Sequence, residues 1–166
     1  MGQNLPIAQT VLLIKAAALL SVPVIGVLYP EAPGSSVLYS SRSEPNMPTP
    51  ITFAPAVANW SETPLGQAVA APGRTQVVLC GLWLDEAMTL LAFNCLAVGF
   101  DIHIVIDATA ALDIEHVPAA YARLAQAGAV PIATAHVVRE WAAQSSSAAA
   151  AKALLALLPD NRTNLL

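Results

Sequence analysis

Two adjacent carboxylates, Asp85 and Glu86, close the stretch Val77–Thr89, which reads VVLCGLWLDEAMT. An apolar strand, a glycine and an abrupt entry into a helix form the kind of turn at which parallel α/β proteins hold ligands. The chemistry these residue types offer is acid–base: one carboxyl group protonating or deprotonating a small carbonyl or enol substrate, giving isomerisation, cyclisation or hydrolysis. The competing reading is electrostatic, since a negative charge in the first helical turn is stabilised by about 0.3–1 kcal/mol. The two conflict: a general acid must stay protonated near neutral pH, whereas a helix N-terminus favours the ionised form. Ala87, which follows, has no nucleophilic atom, so covalent catalysis from that position is excluded.

Other candidates are scattered. Asp107 ends the run DIHIVID and either faces a pocket or caps the turn after it. Trp60 and Trp83 either line a pocket or pack beneath a Pro-rich segment. His103, among Ile102, Ile104 and Val105, reads as a core histidine, while His116 and His136 lie near helix starts. No two histidines have metal-ligand spacing with a carboxylate, so neither a metal site nor a cofactor is expected. Cys80 and Cys95 are too few for a disulfide framework and read as buried thiols. Neither a Gly-rich phosphate loop nor a G-x-S-x-G elbow is present.

The elements that must position these residues follow from hydropathy and punctuation. Gln9–Leu20 is apolar all round apart from Lys15 and predicts a largely buried helix. VPVIGVLY (Val22–Tyr29) and QVVLCGL (Gln76–Leu82) are continuous apolar runs, the pattern of strands covered on both faces. Residues 30–50 carry five prolines and predict a lid or a loosely ordered segment. Ile51–Ala54 predicts a short strand, and Thr63-Pro64 a capped helix ending by Gly73. Asp85–Val98 predicts a helix stopped by Gly99, Asp101–Asp107 a strand, and Asp113 the cap of a helix running to Ala127. Val130–Thr134, Ala135–Ala143 and Ala148–Leu158 complete the series as strand, helix and helix. Strands alternating with helices of this length predict one α/β domain over residues 1–166, a three-layer α/β/α sandwich around a mostly parallel, Rossmann-like sheet.

Composition limits the partners. The 166 residues are 56% hydrophobic and 11% charged, with a mean hydropathy of +0.60, so part of the apolar surface is expected to meet another chain. Seven Lys and Arg against eleven Asp and Glu argue against nucleic acid, whose affinity rests on clustered cations. The apolar run Val11–Tyr29 is interrupted by Lys15 and Pro23, and the first ten residues have no basic side chain, so neither a membrane span nor a secretion signal is expected. A cytoplasmic protein is the expectation.

The segments LCGLW (79–83), GFDIHIVIDATAA (99–111), His116 and QAGAVPIATAHVVREW (126–141) together resemble the isochorismatase-like cysteine hydrolases. KAAALLSVPVIGVL is similar to an earlier helix–strand pair of that superfamily. The resemblance spans Gln9 to Trp141 and implies the α/β/α fold and a pocket at the turn after Gly81. Trp83, Leu84, Ala87, Met88, Asp107 and Trp60 would contribute to binding there, and the backbone amides near Ala87 and Met88 would correspond to the oxyanion hole. The implied nucleophile falls on Ala87, the implied cation falls within the cation-free stretch Phe53–Ala56, and the implied aspartate ends a first strand for which MGQNLPIA leaves no room. The resemblance therefore implies a degenerate member that keeps a small-molecule pocket and works by association with itself or with a paralogous chain. Reassigned chemistry at Asp85, Glu86 or a residue of the 30–50 segment is the alternative, and an N-terminally truncated gene product a third reading.

Overall fold

A computed structural model describes residues 7–29, 49–55 and 57–159. The element order is α1 (Ile7–Leu19), β1 (Val27–Leu28), β2 (Ile51–Thr52), α2 (Pro64–Ala70), β3 (Gln76–Leu82), a π-helical turn (Leu84–Met88) running into α3 (Thr89–Ala97), β4 (Asp101–Ala110), α4 (Val117–Gln126), β5 (Val130–Ile132), α5 (Thr134–Gln144) and α6 (Ala148–Leu155). Single 3-10 turns at Trp60–Glu62 and Ile114–His116 precede α2 and α4. The expected Pro-rich segment falls in residues 30–48, outside the described residues, as does the tail from residue 160.

Every described strand pair is parallel, and helices cover both faces of the larger sheet. Alternation along the strands sorts the side chains. Val77 and Leu79 of β3 and Ile102 and Ile104 of β4 join one core with Leu91, Ala92 and Cys95 of α3 and Leu124 of α4. Val78, Cys80, Val105 and Ala108 join another with Leu13 of α1 and Val137 of α5. Such alternation is what a pleated strand requires between two helical layers. Behind the second core, Ala16, Val138, Ala142 and Leu154 seat α6 against α1 and α5. The three-layer parallel α/β architecture is therefore present.

The sheet is not continuous. Among the described residues, β1 and β2 form one ladder and β3–β4–β5 another. The expected strand Val22–Tyr29 reduces to Val27–Leu28, held by the Ile51 amide on the Gly26 carbonyl and the Phe53 amide on the Leu28 carbonyl, both at 2.8 Å. Residues Val22–Ile25 instead line a cavity of about 640 Å³ whose opposite wall is β3. That strand reads as central in sequence, yet Val77 through Leu82 are only half-buried, with β4 their single strand neighbour among the described residues. A sequence pattern reports the burial a strand is suited to; the neighbour that completes that burial is a tertiary matter.

β4 runs three residues beyond the expected Asp107. Its register with β3 slips between the pairs Leu79–Ile104 and Gly81–Thr109, where β4 carries the extra residues. Gly81 sits at φ +124°, a region L side chains avoid, and there β3 regains its pairing with β4 before Leu82. The C-terminal end of β3 and the helix it feeds are placed by this irregularity.

Candidate functional site

The turn after β3 is fixed from below by Leu84, which is 1% exposed. The Glu86 and Met88 amides both donate to the Trp83 carbonyl at 3.2 Å, the second of these closing the wider π turn. The Thr89 hydroxyl donates to the Leu84 carbonyl, turning that side chain inward. Ala87 and Met88 are buried against Phe53, Trp60 and Leu65 and face the cavity. The Met88 amide, one of the expected donors to a bound oxyanion, is thus engaged within its own turn.

Asp85 points elsewhere. Its two carboxylate oxygens accept from the backbone amides of Leu112 (2.9 Å) and Asp113 (3.1 Å), stapling the loop after β4 to the start of α3. His116 approaches the same carboxylate at 4.0 Å and Asp113 at 3.8 Å, but its side chain is 66% exposed. Such a pair contributes little in water. Neither Asp85 nor Glu86 lines the cavity.

Asp107 caps a helix at a distance: its carboxylate accepts from both the amide (2.8 Å) and the hydroxyl (2.9 Å) of Thr134, the first residue of α5. An Ala at the usual capping position, Ala133, has no side chain for this, so β4 supplies the acceptor. Trp60 is 6% exposed in the core beside Phe53 and Leu65, and its indole N–H is buried with no partner among the described residues. Trp83 is half-buried; of the six expected binding residues, only Ala87 and Met88 line the cavity.

Sequence reasoning did not single out the rest of that lining. Phe53, Leu65, Val77, Leu79 and Leu91 enclose it; the apolar run at 76–82 signalled Val77 and Leu79, whereas Phe53, Leu65 and Leu91 come from separate elements that only the fold brings together. Its described lining contains no Asp, Glu, His or Lys; Arg74, exposed at the N-terminal end of β3, is the single charge. Cys80 and Cys95 both touch it. Burial raises the Cys80 thiol, an effect partly offset by its hydrogen bond with Thr10, and pushes the Cys95 thiol up to about 12. Neither thiol is a ready nucleophile. Among the described residues no group of His, Cys, Asp and Glu is arranged to hold a metal, and no helix is long and apolar enough to cross a membrane.

A parallel three-layer α/β protein with an apolar cavity running along β3, from Arg74 before its N-terminal end to Ala87 and Met88 in the turn after it, is thus defined by fold and site. A family model described as the isochorismatase domain matches residues 2–136, and the chain belongs to that family. No curated protein matches its sequence. Among solved structures it is similar to YcaC from Pseudomonas aeruginosa with hexane-2,5-diol and covalent acrylamide, at 21% identity and a TM-score of 0.66, over 95% of this chain and 79% of that one. It is also similar to the YcaC gene product from Escherichia coli, an octameric hydrolase of unknown specificity, at 19% identity and a TM-score of 0.66, over 95% and 78% of the two chains. The MAR1 ribonuclease from Caenorhabditis elegans aligns at 22% identity and a TM-score of 0.69, over 97% of this chain and 83% of that one. At these identities the likeness establishes the fold.

Proposed function

We propose that this chain is a catalytically degenerate isochorismatase-family protein whose apolar cavity binds rather than reacts, and which works by association with further copies of itself or with a related chain. The observation that carries this reading is the cavity lining: no carboxylate, imidazole or ammonium group among the described residues reaches it. General acid–base chemistry needs a titratable group within hydrogen-bonding reach of the substrate. Asp85 spends both oxygens on backbone amides, and Glu86 lies outside the cavity. Ala87 offers a methyl group at the turn where the resemblance places a thiol. A cavity of about 640 Å³ with apolar walls falls within the range of sites for small organic molecules, so a small apolar ligand suits it.

Association is supported by the half-exposed apolar edge of β3, by exposed Ile106, Ile114 and Val130, and by the octameric state of the Escherichia coli relative. A ribonuclease among the structural neighbours does not extend nucleic-acid binding to this chain, whose seven cationic residues are outnumbered by eleven acidic ones. The test pairs chemistry with mass. Acrylamide, which the Pseudomonas YcaC structure holds covalently, is incubated with the native protein at pH 7.5, and adducts are mapped by peptide mass spectrometry. No adduct on residues 83–89, no turnover of amide or ester substrates and a mass above that of the monomer are expected. Turnover that vanishes in both Asp85→Asn and Glu86→Gln, with the fold intact, would overturn the reading in favour of carboxylate chemistry.

A further inference from the structure

The sequence of β3 suits two strand neighbours, and among the described residues it has one, β4. Its residues Gln76–Leu82 carry no proline, lysine or acidic side chain, the devices by which exposed sheet edges are normally protected. Its backbone pairs with β4 along one edge, and the other edge faces the cavity. The far wall is the extended segment Val22–Ile25 leading into β1, which belongs to the other ladder. A cover for such an edge must be apolar on both faces and must also present backbone donors and acceptors at strand spacing. A small apolar molecule meets the first requirement only.

We infer that the gap between the two ladders is a docking slot for one extended apolar peptide segment, which enters as a strand parallel to β3 and joins the two half-sheets. This deepens the association reading and rests on it, by naming what the partner contributes. The length follows from the wall: strands are commonly five or six residues, about 17–20 Å, within the seven-residue span of β3. The direction follows from the sheet, in which every described pair is parallel. A parallel entrant has its N-terminal end beside Gln76 and Arg74, so an acidic residue there would meet the single charge of the lining. The described strands of a second copy do not qualify. Each already belongs to a ladder, and β3 with β4 alongside and helices on both faces is too bulky for a cavity of about 640 Å³. The entrant must be a segment not yet in a sheet, as in other cases of β-strand addition.

The probe is a capped peptide of an N-terminal aspartate, five alternating valines and isoleucines and two C-terminal lysines for solubility. Its control has the same side chains but N-methylated alternate amides. Backbone hydrogen exchange of the full chain is read residue by residue. At a peptide concentration about ten times its Kd, those amides of Val77–Leu82 that face away from β4 are expected to exchange roughly tenfold more slowly, with no such effect from the N-methylated control. Val24→Arg, on the exposed part of the opposite wall, is expected to weaken binding by about tenfold or more, since it brings a charge against apolar surface. Equal binding of both peptides would reassign the cavity to apolar molecules in general. Full protection of the β3 amides in the free protein would mean the slot is closed, and no binding, or binding indifferent to Val24→Arg, would remove the proposal. None of these results alters the adduct and mass measurements that decide the association reading.

Discussion

Asp85 is the residue on which the catalytic and architectural readings of this protein divide, and its removal separates them. Its side chain is 12% exposed and bonds to the amides of Leu112 and Asp113, 27 and 28 residues further along the chain, at 2.9 and 3.1 Å. In Asp85→Ala both amides lose a charged acceptor. A hydrogen bond to a charged group contributes about 1.5–3 kcal/mol, but the Leu112 amide lies where water can replace the carboxylate. The expected loss is therefore about 2 kcal/mol in all, read as the urea midpoint at constant slope. For a chain of this size that corresponds to a fall of about 4–8 °C in Tm. Asp85→Asn keeps one carbonyl acceptor and is expected to lose about half as much. His116→Ala, which touches the same carboxylate from an exposed position, is expected to change stability by less than about 0.5 kcal/mol. If Asp85→Ala is as stable as the parent, the staple is not what holds the loop after β4, and the carboxylate is free for another role.

Two further perturbations follow from the same geometry. Asp107→Ala removes both acceptor bonds from the first residue of α5 and is expected to cost about 1–2 kcal/mol, with Thr134→Val reproducing part of the loss in chemical denaturation. Cys95 gives a pH dependence. Its thiol ionises near pH 9 when unfolded and near 12 when folded, so between these values the unfolded chain has released a proton that the folded chain keeps. Stability from this group is complete below pH 9 and is lost as pH rises toward 12, by up to about 1.4 kcal/mol per pH unit. Denaturation at pH 8 and pH 10 should show this slope, and Cys95→Ala should reduce it, leaving the part that comes from the raised Cys80 thiol, while alkylation of the native Cys95 at pH 8 stays slow.

The order of elements, their parallel arrangement and the seven-residue extent of β3 were legible in the chain, because local hydropathy and Gly, Pro and Thr punctuation act over a few residues. The cap of α2 by the Thr63 hydroxyl on the Gly66 amide is one such local fact, and the left-handed Gly99 after α3 is another. The chemistry was legible only as residue types. That Asp85 and Glu86 stand side by side at a helix start is sequence; that Asp85 bonds across 27 residues to Leu112 is not. Asp107 caps α5 although Ala133 occupies the local capping position, a substitution of acceptor across space that no short pattern encodes.

The sequence alone thus determined the family, the layers and the absence of a nucleophilic atom at Ala87. Only the tertiary structure decided that, among the described residues, the apolar strand QVVLCGL has one neighbour instead of two and borders a cavity on its other side. Hydropathy records how much water a strand is suited to lose, and that is written residue by residue. Which surface removes the water depends on chain segments far apart in sequence, and that is settled when they pack.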